Sequence, residues 1–436
     1  MAAFKGGVHP PETKEFSAHR PISVLHAPKT VVIPLHQHLG APCKPTVKAR
    51  EHVALGQLVG EPQGRVSAPV HSSVSGTVKS IEPMSHPSGK RVEALVIEVD
   101  AEQPEWPWTQ RRAAPTDPQE VLKAISEAGI VGMGGAGFPT HVKLNPPPGK
   151  RVDTVILNGC ECEPFLTADH RLMVEQAERI AAGMRHIMHA MGVARGVVAL
   201  EDNKPDAAEK LRNAPWPEGV AVRVLPTRYP QGAEKMLIKA CLGRRVPSGG
   251  LPMDVGVVVQ NVATAAAVAD AVEYGTPLIR RVVTLTGPGV QEPGNYLVPI
   301  GMTVGDLVEA AGGLREGAGA VIFGGPMMGV AQATMDSPII KTTSGVVVLM
   351  EGQVSADGPM PCLRCGRCVE VCPMGLAPVM LARSAYKERL DLMEKLSILD
   401  CIECGCCAFT CPSHRPLVPW IRLGKGLVTA ARRRAA

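Results

Sequence analysis

Eight of the thirteen cysteines stand in two copies of one pattern, and no other feature of the chain restricts its folding as much. Cys362, Cys365, Cys368 and Cys372-Pro373 spell C-x2-C-x2-C-x3-C-P, and Cys401, Cys404, Cys407 and Cys411-Pro412 spell it again. Three thiols at steps of three on a tight loop can aim at three irons of a cubane, while the fourth lies beyond the turn. This is the spacing that holds a pair of [4Fe–4S] clusters, with the fourth cysteine of each run serving the other cluster. Cys362, Cys365, Cys368 and Cys411 are the expected ligands of one cluster, and Cys401, Cys404, Cys407 and Cys372 those of the other. Zinc sites also use C-x2-C pairs, but they do not call for two copies of this four-cysteine run with its proline. Cys406 falls out of register and reads as a packed bystander. Cys43 and Cys241 read as small buried apolar groups. Cys160 and Cys162 stay open between loop packing and a role at a site.

Cysteines gathered at metal-ligand spacing, rather than spread as a disulfide framework, point to a reducing, cytoplasm-facing compartment. Residues 1–10 lack the apolar core of a signal peptide, and no run reaches the roughly 18 apolar residues that a membrane span needs. The longest candidate, 255–272, contains Gln260, Asn261 and Asp270 and reads as a buried strand followed by a helix. With 436 residues the chain outgrows a single core, so several domains are expected. Aromatics make up only 3%, against 45 Gly and 40 Pro, which favours many turns and small close-packed units. The excess of 46 basic over 41 acidic residues is too mild to support nucleic-acid binding.

Along the chain, 30–99 reads as short β-segments divided by turns. A proline-rich linker follows over 104–118, with Trp106 and Trp108 in it. A helix is expected from Asp117-Pro118 to Ala128-Gly129, then a glycine loop. The alternation continues with an apolar run at 152–157, a helix at about 172–191, a strand at 197–200, a helix at 234–242 and a strand at 255–259. Such alternation predicts an α/β domain with a parallel sheet. Short strands at 282–286, 321–323 and 346–349 around a helix at 304–311 predict a small α+β domain. A helix over 377–396 spaces the two cysteine runs. The tail 417–434 mixes apolar residues with Arg422, Lys425 and Arg432 to Arg434, and reads either as a segment lying on a membrane or partner or as a solvated end.

The glycine loop is Gly132-Met-Gly134-Gly135-Ala-Gly137-Phe138-Pro139-Thr140. Its G-x-G-x-x-G lies between a helix and a strand, the reverse of the dinucleotide fingerprint, but glycines still let backbone N–H groups approach a phosphate or a flat ring. With Lys143 beyond it, the loop resembles the flavin and nicotinamide loop of the flavoprotein subunit of respiratory complex I. Asn158-Gly-Cys160-Glu161-Cys162-Glu163-Pro164 is similar to that family's N-A-D-E-x-E-P, Tyr229-Pro-Gln-Gly232-Ala-Glu234 to its Y-x-x-G-E-E, and Gln260-Asn261-Val262-Ala263-Thr264 to its N-N-V-E-T. Cys160, Ala233 and Ala263 depart from those patterns.

Together with Phe4-Lys-Gly-Gly-Val8-His-Pro-Pro11, Gln37-His38-Leu-Gly40-Ala-Pro42, Gly324-Gly325-Pro326-Met327-Met328-Gly329 and the doubled cysteine run, these segments resemble the RnfC (RsxC) family of the Rnf electron-transport complex from end to end. The resemblance implies a barrel-sandwich (lipoyl-like) β domain and linker over 1–115 and a Rossmann-like FMN/NADH-binding α/β domain over 116–278. A β-grasp domain over 279–352 and a helical two-cluster ferredoxin-like domain with the tail over 353–436 complete it. It implies FMN, NAD(H) and two [4Fe–4S] clusters, with Gly132, Gly134, Gly135 and Gly137 giving backbone access. Lys143 would offset charge, and Asn158, Glu161 and Glu163 would hydrogen-bond the ring or nicotinamide. Tyr229, Gly232, Glu234 and Asn261 would line the opposite side, with Phe138 as a stacking surface. No side chain is expected to act as acid or base.

It further implies a peripheral subunit on the cytoplasmic side of the inner membrane, joined to integral membrane and iron–sulfur subunits. In such a complex, electron transfer between ferredoxin and NAD moves sodium ions or protons. The β domain offers His71-Ser-Ser73-Val74 where a lipoylated or biotinylated carrier has its lysine, so no swinging arm is expected. His36 and His38 read as packed polar residues. A cobalamin reductase of the propanediol-utilisation type shares the glycine loop and the doubled run but would begin near the flavin loop. A flavin-free iron–sulfur electron wire is the other alternative, which a released yellow chromophore and NADH-dependent dye reduction would exclude.

Overall fold

The computed structural model describes residues 4–104, 110–354 and 358–435. Trp106 and Trp108 of the expected linker lie outside the described residues. Its centre is a four-stranded parallel sheet in the order Val220–Leu225, Gly196–Glu201, Thr154–Asn158, Val257–Asn261. The two middle strands are continuous apolar runs buried on both faces, as a parallel sheet between helices requires. The edge strand Val220–Leu225 is only half-buried and alternates weakly, which is why it escapes a reading of the sequence. Helices Ala177–Met191 and Val262–Tyr274 cover one face and touch where Gly183 meets the Ala265 carbonyl. A Cβ on Gly183 would stand 1.8 Å from that oxygen, so glycine sets their close approach.

The helix expected over 172–191 is two helices, Ala168–Glu175 and Ala177–Met191, broken at Gln176 with φ −136°. The break turns the N-terminus of the first toward Glu161, whose carboxylate accepts from Asp169 N at 2.7 Å and His170 N at 3.0 Å.

The N-terminal β domain pairs a four-stranded antiparallel sheet, Thr30–Pro34, Arg91–Val99, Gly76–Ser85 and His52–Val53, with a three-stranded one, Lys44–Pro45, Leu58–Glu61 and Val70–His71. Val31, Ile33, Val53, Val59, Val78, Leu95 and Ile97 fill the space between. Ser72 and Ser73 are buried, and Ser73 Oγ donates to the Ile300 carbonyl. That hairpin is packed against the third domain, so it offers no free tip for a carrier group. Lys341, fully buried, pins three domains by donating to the Pro69 and Gly129 carbonyls at 2.6 and 2.8 Å.

The third domain is a mixed six-stranded sheet, Ile22–Val24, Gly294–Pro299, Arg280–Thr286, Gly345–Met350, Ala318–Phe323 and Val330–Ala331, with helix Val304–Ala310 capped by Thr303. Ile22–Val24 joins it as a parallel strand, so the segment before Thr30 serves this sheet rather than the barrel.

In the C-terminal domain the expected 377–396 helix is divided into Pro378–Tyr386 and Leu390–Lys395, because the chain turns at Glu388 with φ 49°. The tail is neither frayed nor extended. It forms helix Leu417–Ala435, whose Leu417, Ile421 and Val428 are buried with Leu381, Ala385, Met393 and Ile398. Gly424 lets it close on Ala385, with a Cβ at 2.8 Å from that side chain. Among the described residues no helix is long and apolar enough to cross a membrane.

Candidate functional site

The parallel sheet runs from Thr154–Asn158 outward to Gly196–Glu201 and Val220–Leu225, then returns to place Val257–Asn261 on the other side. Crevices beyond the carboxyl ends of strands at such a reversal are where open α/β sheets bind ligands. Asn158 and Asn261 are register partners at those two ends. Above them lies the glycine loop, closed by a hydrogen bond from Gly132 N to the Phe138 carbonyl at 2.9 Å and tethered by Met133 N to Thr264 Oγ1 at 2.9 Å.

The loop's glycines answer to different demands. Gly137 has φ +68° and is hemmed in by Thr342 and the Gln37–His38 backbone, so the fold itself requires it. Gly134 sits on Asn261, with a Cβ 3.0 Å from that residue's Cβ. Gly135 is exposed, has no positive φ, and nothing stands within 4 Å of its would-be Cβ. Nothing in the protein demands glycine there, and an open backbone surface at a sheet reversal suits the close approach of a phosphate or planar ring. The residues present thus fit a flavin nucleotide.

The remaining motif residues divide into those facing this crevice and those bracing it. Asn261 caps helix Val262–Tyr274, accepting from Ala263 N and Thr264 N, and donates to Asp169 at 2.6 Å. Asn158 donates to the Gly232 carbonyl at 2.8 Å and accepts from Cys160 N, tying the Tyr229–Gly232 turn to the strand end. Lys143 pairs with Glu234 at 2.7 Å, both partly exposed. Phe138 is half-buried.

Three expectations need correction. Glu161 spends its carboxylate on the N-terminus of helix Ala168–Glu175. Glu163 accepts from Met327 N at 3.2 Å and Met328 N at 2.8 Å, gripping the Gly324–Gly329 loop of the third domain. Burial pushes the Glu163 carboxyl up to about 7 against the opposing pull of those N–H groups and of Lys14. Tyr229 does not line the crevice: it is buried, and its hydroxyl donates to the Cys404 carbonyl at 2.6 Å. These three are positioning residues rather than ring contacts.

The cysteines assemble across the two runs. Cys372 lines one cavity together with Cys401, Cys404 and Cys407, walled by Leu376, Leu381 and Ile421. Cys368 has Cys365 and Cys411 as its thiol neighbours. Backbone N–H groups point at sulfurs: Arg364 N to Cys362, Leu376 N to Cys372 and Glu403 N to Cys401, each 3.4 Å. Burial pushes Cys401 up to about 11 and Cys407 to about 12, so thiolates there need the positive charge of bound iron. Four convergent sulfurs from two runs, with N–H donors, fit a cubane. Cys406 is buried beside Val8, Tyr229 and Cys404, as a bystander would be, and Cys43, Cys160 and Cys241 are buried as well.

The sequence missed the strap that joins the two sites. Val8 pairs with Tyr229 through both backbone hydrogen bonds, Gly7 N donates to the Val371 carbonyl at 2.8 Å, and Arg228 grips the Phe4 and Gly6 carbonyls. A Cβ on Gly6 would stand 2.8 Å from the Cys372 carbonyl oxygen. Lys14 was missed too: buried, it donates to the Glu161, Glu163 and Leu166 carbonyls. The adjacent glycines at 6 and 7 were the available signal.

A flavin crevice strapped to a two-cage cysteine domain defines an iron–sulfur flavoprotein of electron transfer. Family models agree: the RnfC barrel sandwich hybrid domain matches 2–102, the Nuo51 FMN-binding domain 125–270, the SLBB domain 282–331 and the 4Fe-4S dicluster domain 355–413. The chain is 47% identical to the RnfC-type component of the proton-translocating ferredoxin:NAD(+) oxidoreductase complex of Clostridium ljungdahlii, over 99% of this chain and 95% of the relative. It is 46% identical to the corresponding component of the Na(+)-translocating ferredoxin:NAD(+) oxidoreductase complex of Acetobacterium woodii, over 99% and 98%. The NAD+-reducing [NiFe]-hydrogenase in its H2-reduced state shares the fold over 74% of this chain and 67% of its own, with TM-score 0.50 and 22% identity. The chain belongs to the RnfC family of ion-translocating oxidoreductase complexes.

Proposed function

We propose that this chain is the peripheral, NAD(H)-reactive subunit of a membrane-bound ferredoxin:NAD oxidoreductase, carrying electrons between NAD(H), FMN and two [4Fe–4S] clusters in a sequence coupled to sodium or proton translocation. Its neighbours are integral membrane and iron–sulfur subunits on the cytoplasmic side of the inner (plasma) membrane, and ferredoxin acts through them. The reaction that the clostridial and acetobacterial relatives are named for supports this reading. The observation that carries it is the direct bond from Tyr229, in a flavin motif, to the carbonyl of Cys404 in a cysteine run.

Nicotinamide exchanges electrons in pairs and a cubane singly, and FMN converts between the two. Gly132, Gly134, Gly135 and Gly137 give the nucleotide a backbone surface, and Phe138 offers it a stacking face. Lys143 and Glu234 set the charge at the mouth, while Asn158, Gly232 and Asn261 shape the floor. Cys362, Cys365, Cys368 and Cys411 hold one cluster, and Cys372, Cys401, Cys404 and Cys407 the other. Glu161, Glu163 and Tyr229 hold these surfaces in register. No proton needs a side-chain carrier, since the chemistry belongs to the cofactors.

Gly135→Val tests the reading. Filling the open surface abolishes flavin binding and NADH-dependent dye reduction but leaves iron content unchanged. Flavin retained at wild-type level, or dye reduction without it, would overturn the assignment.

A further inference from the structure

The two cysteine runs share one backbone. Arg364 and Glu403 both have φ 56°, Gly366 and Gly405 have φ 77° and 80°, and one-turn helices Arg367–Glu370 and Cys406–Phe409 stand at the same place in each run. Their surroundings differ. A Cβ on Gly405 would stand 2.5 Å from the Met327 carbonyl oxygen, whereas one on Gly366 would have nothing within 4 Å. Cys404 and Cys407 are buried, while Cys362 and Cys365 are exposed.

Everything that reaches the cysteine domain from the flavin crevice reaches the second cage. Tyr229 bonds the Cys404 carbonyl, and the strap at Gly6 and Gly7 closes on Val371 and Cys372. Met327, held by Glu163, meets Gly405. Cys162 packs among Tyr229, Cys404 and Cys406. Asn158, at the crevice floor, is bound to Gly232 in the turn that carries Tyr229.

The first cage instead shows an open edge. Met360, Leu363 and Val369 are 50%, 69% and 44% exposed, and Arg364 and Arg367 lie among them, with Glu370 the acid nearest in sequence. An apolar centre with basic residues around it has the composition of a docking face for an acidic partner, whose approach the positive field would steer.

We infer that the Cys372, Cys401, Cys404 and Cys407 cage is the flavin-side relay, and that the Cys362, Cys365, Cys368 and Cys411 cage is the outlet, whose edge docks an acidic one-electron-transfer protein. The inference rests on the cysteine assignment under the proposed function. Each hydride received from NADH brings two electrons. They leave one at a time, from relay cage to outlet cage to the partner's one-electron acceptor, and reverse flow retraces the path.

The test uses full-length, reconstituted protein with flavin and iron counted. In Cys365→Ser, NADH reduces the surviving cluster as fast as in the wild type, followed by freeze-quench paramagnetic resonance. In Cys401→Ser, reduction of the surviving cluster slows by about an order of magnitude or more. The reverse pattern, or equal rates, overturns the order of the cages. Should a cysteine variant lose both clusters, Tyr229→Phe decides. With iron and flavin complete, it slows reduction by NADH but not by dithionite, and no change in either rate counts against the relay. Zinc in place of iron would sink the cysteine assignment itself, a different failure.

The docking half is read separately with an acidic plant-type [2Fe–2S] ferredoxin as probe. Arg367→Glu lowers electron transfer to it roughly tenfold at low salt while NADH-driven reduction of both clusters is unchanged. An unaltered, salt-independent transfer rate overturns the docking face.

Discussion

The first cysteine run and the second are near copies in spacing and backbone, yet one cage lies open at the surface and the other is held on three sides by the strap, the Tyr229 turn and the Gly324–Gly329 loop. Ligand identity is a local property, fixed by steps of three and a proline. Role is not local. It comes from residues far away along the chain, such as Gly6 against Cys372 and Met327 against Gly405.

The comparison can be sharpened at its matched glycines. Gly366→Ala places a side chain at positive φ and costs about 1–2 kcal/mol. Gly405→Ala bears the same strain and also drives a Cβ into the Met327 carbonyl, which adds about 1–3 kcal/mol of overpacking. Thermal unfolding of the loaded protein should therefore fall clearly further for Gly405→Ala. Equal losses would break the claim that only one run is clamped.

Tyr229→Phe comes next in size. It leaves the buried Cys404 carbonyl without its donor and costs about 1–3 kcal/mol, read by urea unfolding with flavin and iron still bound. A neutral substitution would mean that the hydroxyl does not hold the second cage.

The smallest effect is a slope with pH. Burial raises the Glu163 carboxyl from 4.5 to about 7, so the folded protein keeps a proton that the unfolded chain releases in that interval. The resulting stabilisation is complete below 4.5 and is lost as pH rises through about 7. Glu163→Gln should flatten this part of the stability profile. An unchanged slope would assign it to other groups.

How far the sequence speaks follows the same division. The doubled cysteine pattern, the Asp117 cap, the buried Thr154–Asn158 strand and the exposed glycine tip are all written in short spacings, and the structure shows each where its local chemistry places it. What escaped depends on tertiary partners. Gln176 breaks a helix so that Glu161 can cap it, an event that periodicity does not register. Glu163 and Tyr229 stand in flavin motifs, and only the packed chain reveals that their polar atoms face other domains. The tail's apolar and basic residues suggested a surface segment, but Ile421 and Val428 instead close the cysteine domain's own core.

The account depends most on the cofactors that the two regions hold. Anaerobically prepared protein, with iron, sulfide and flavin counted per chain, should contain about eight irons, about eight sulfides and one FMN, and NADH should elicit cubane signals in paramagnetic resonance. Zinc bound at the eight cysteines, or iron without flavin, would contradict it.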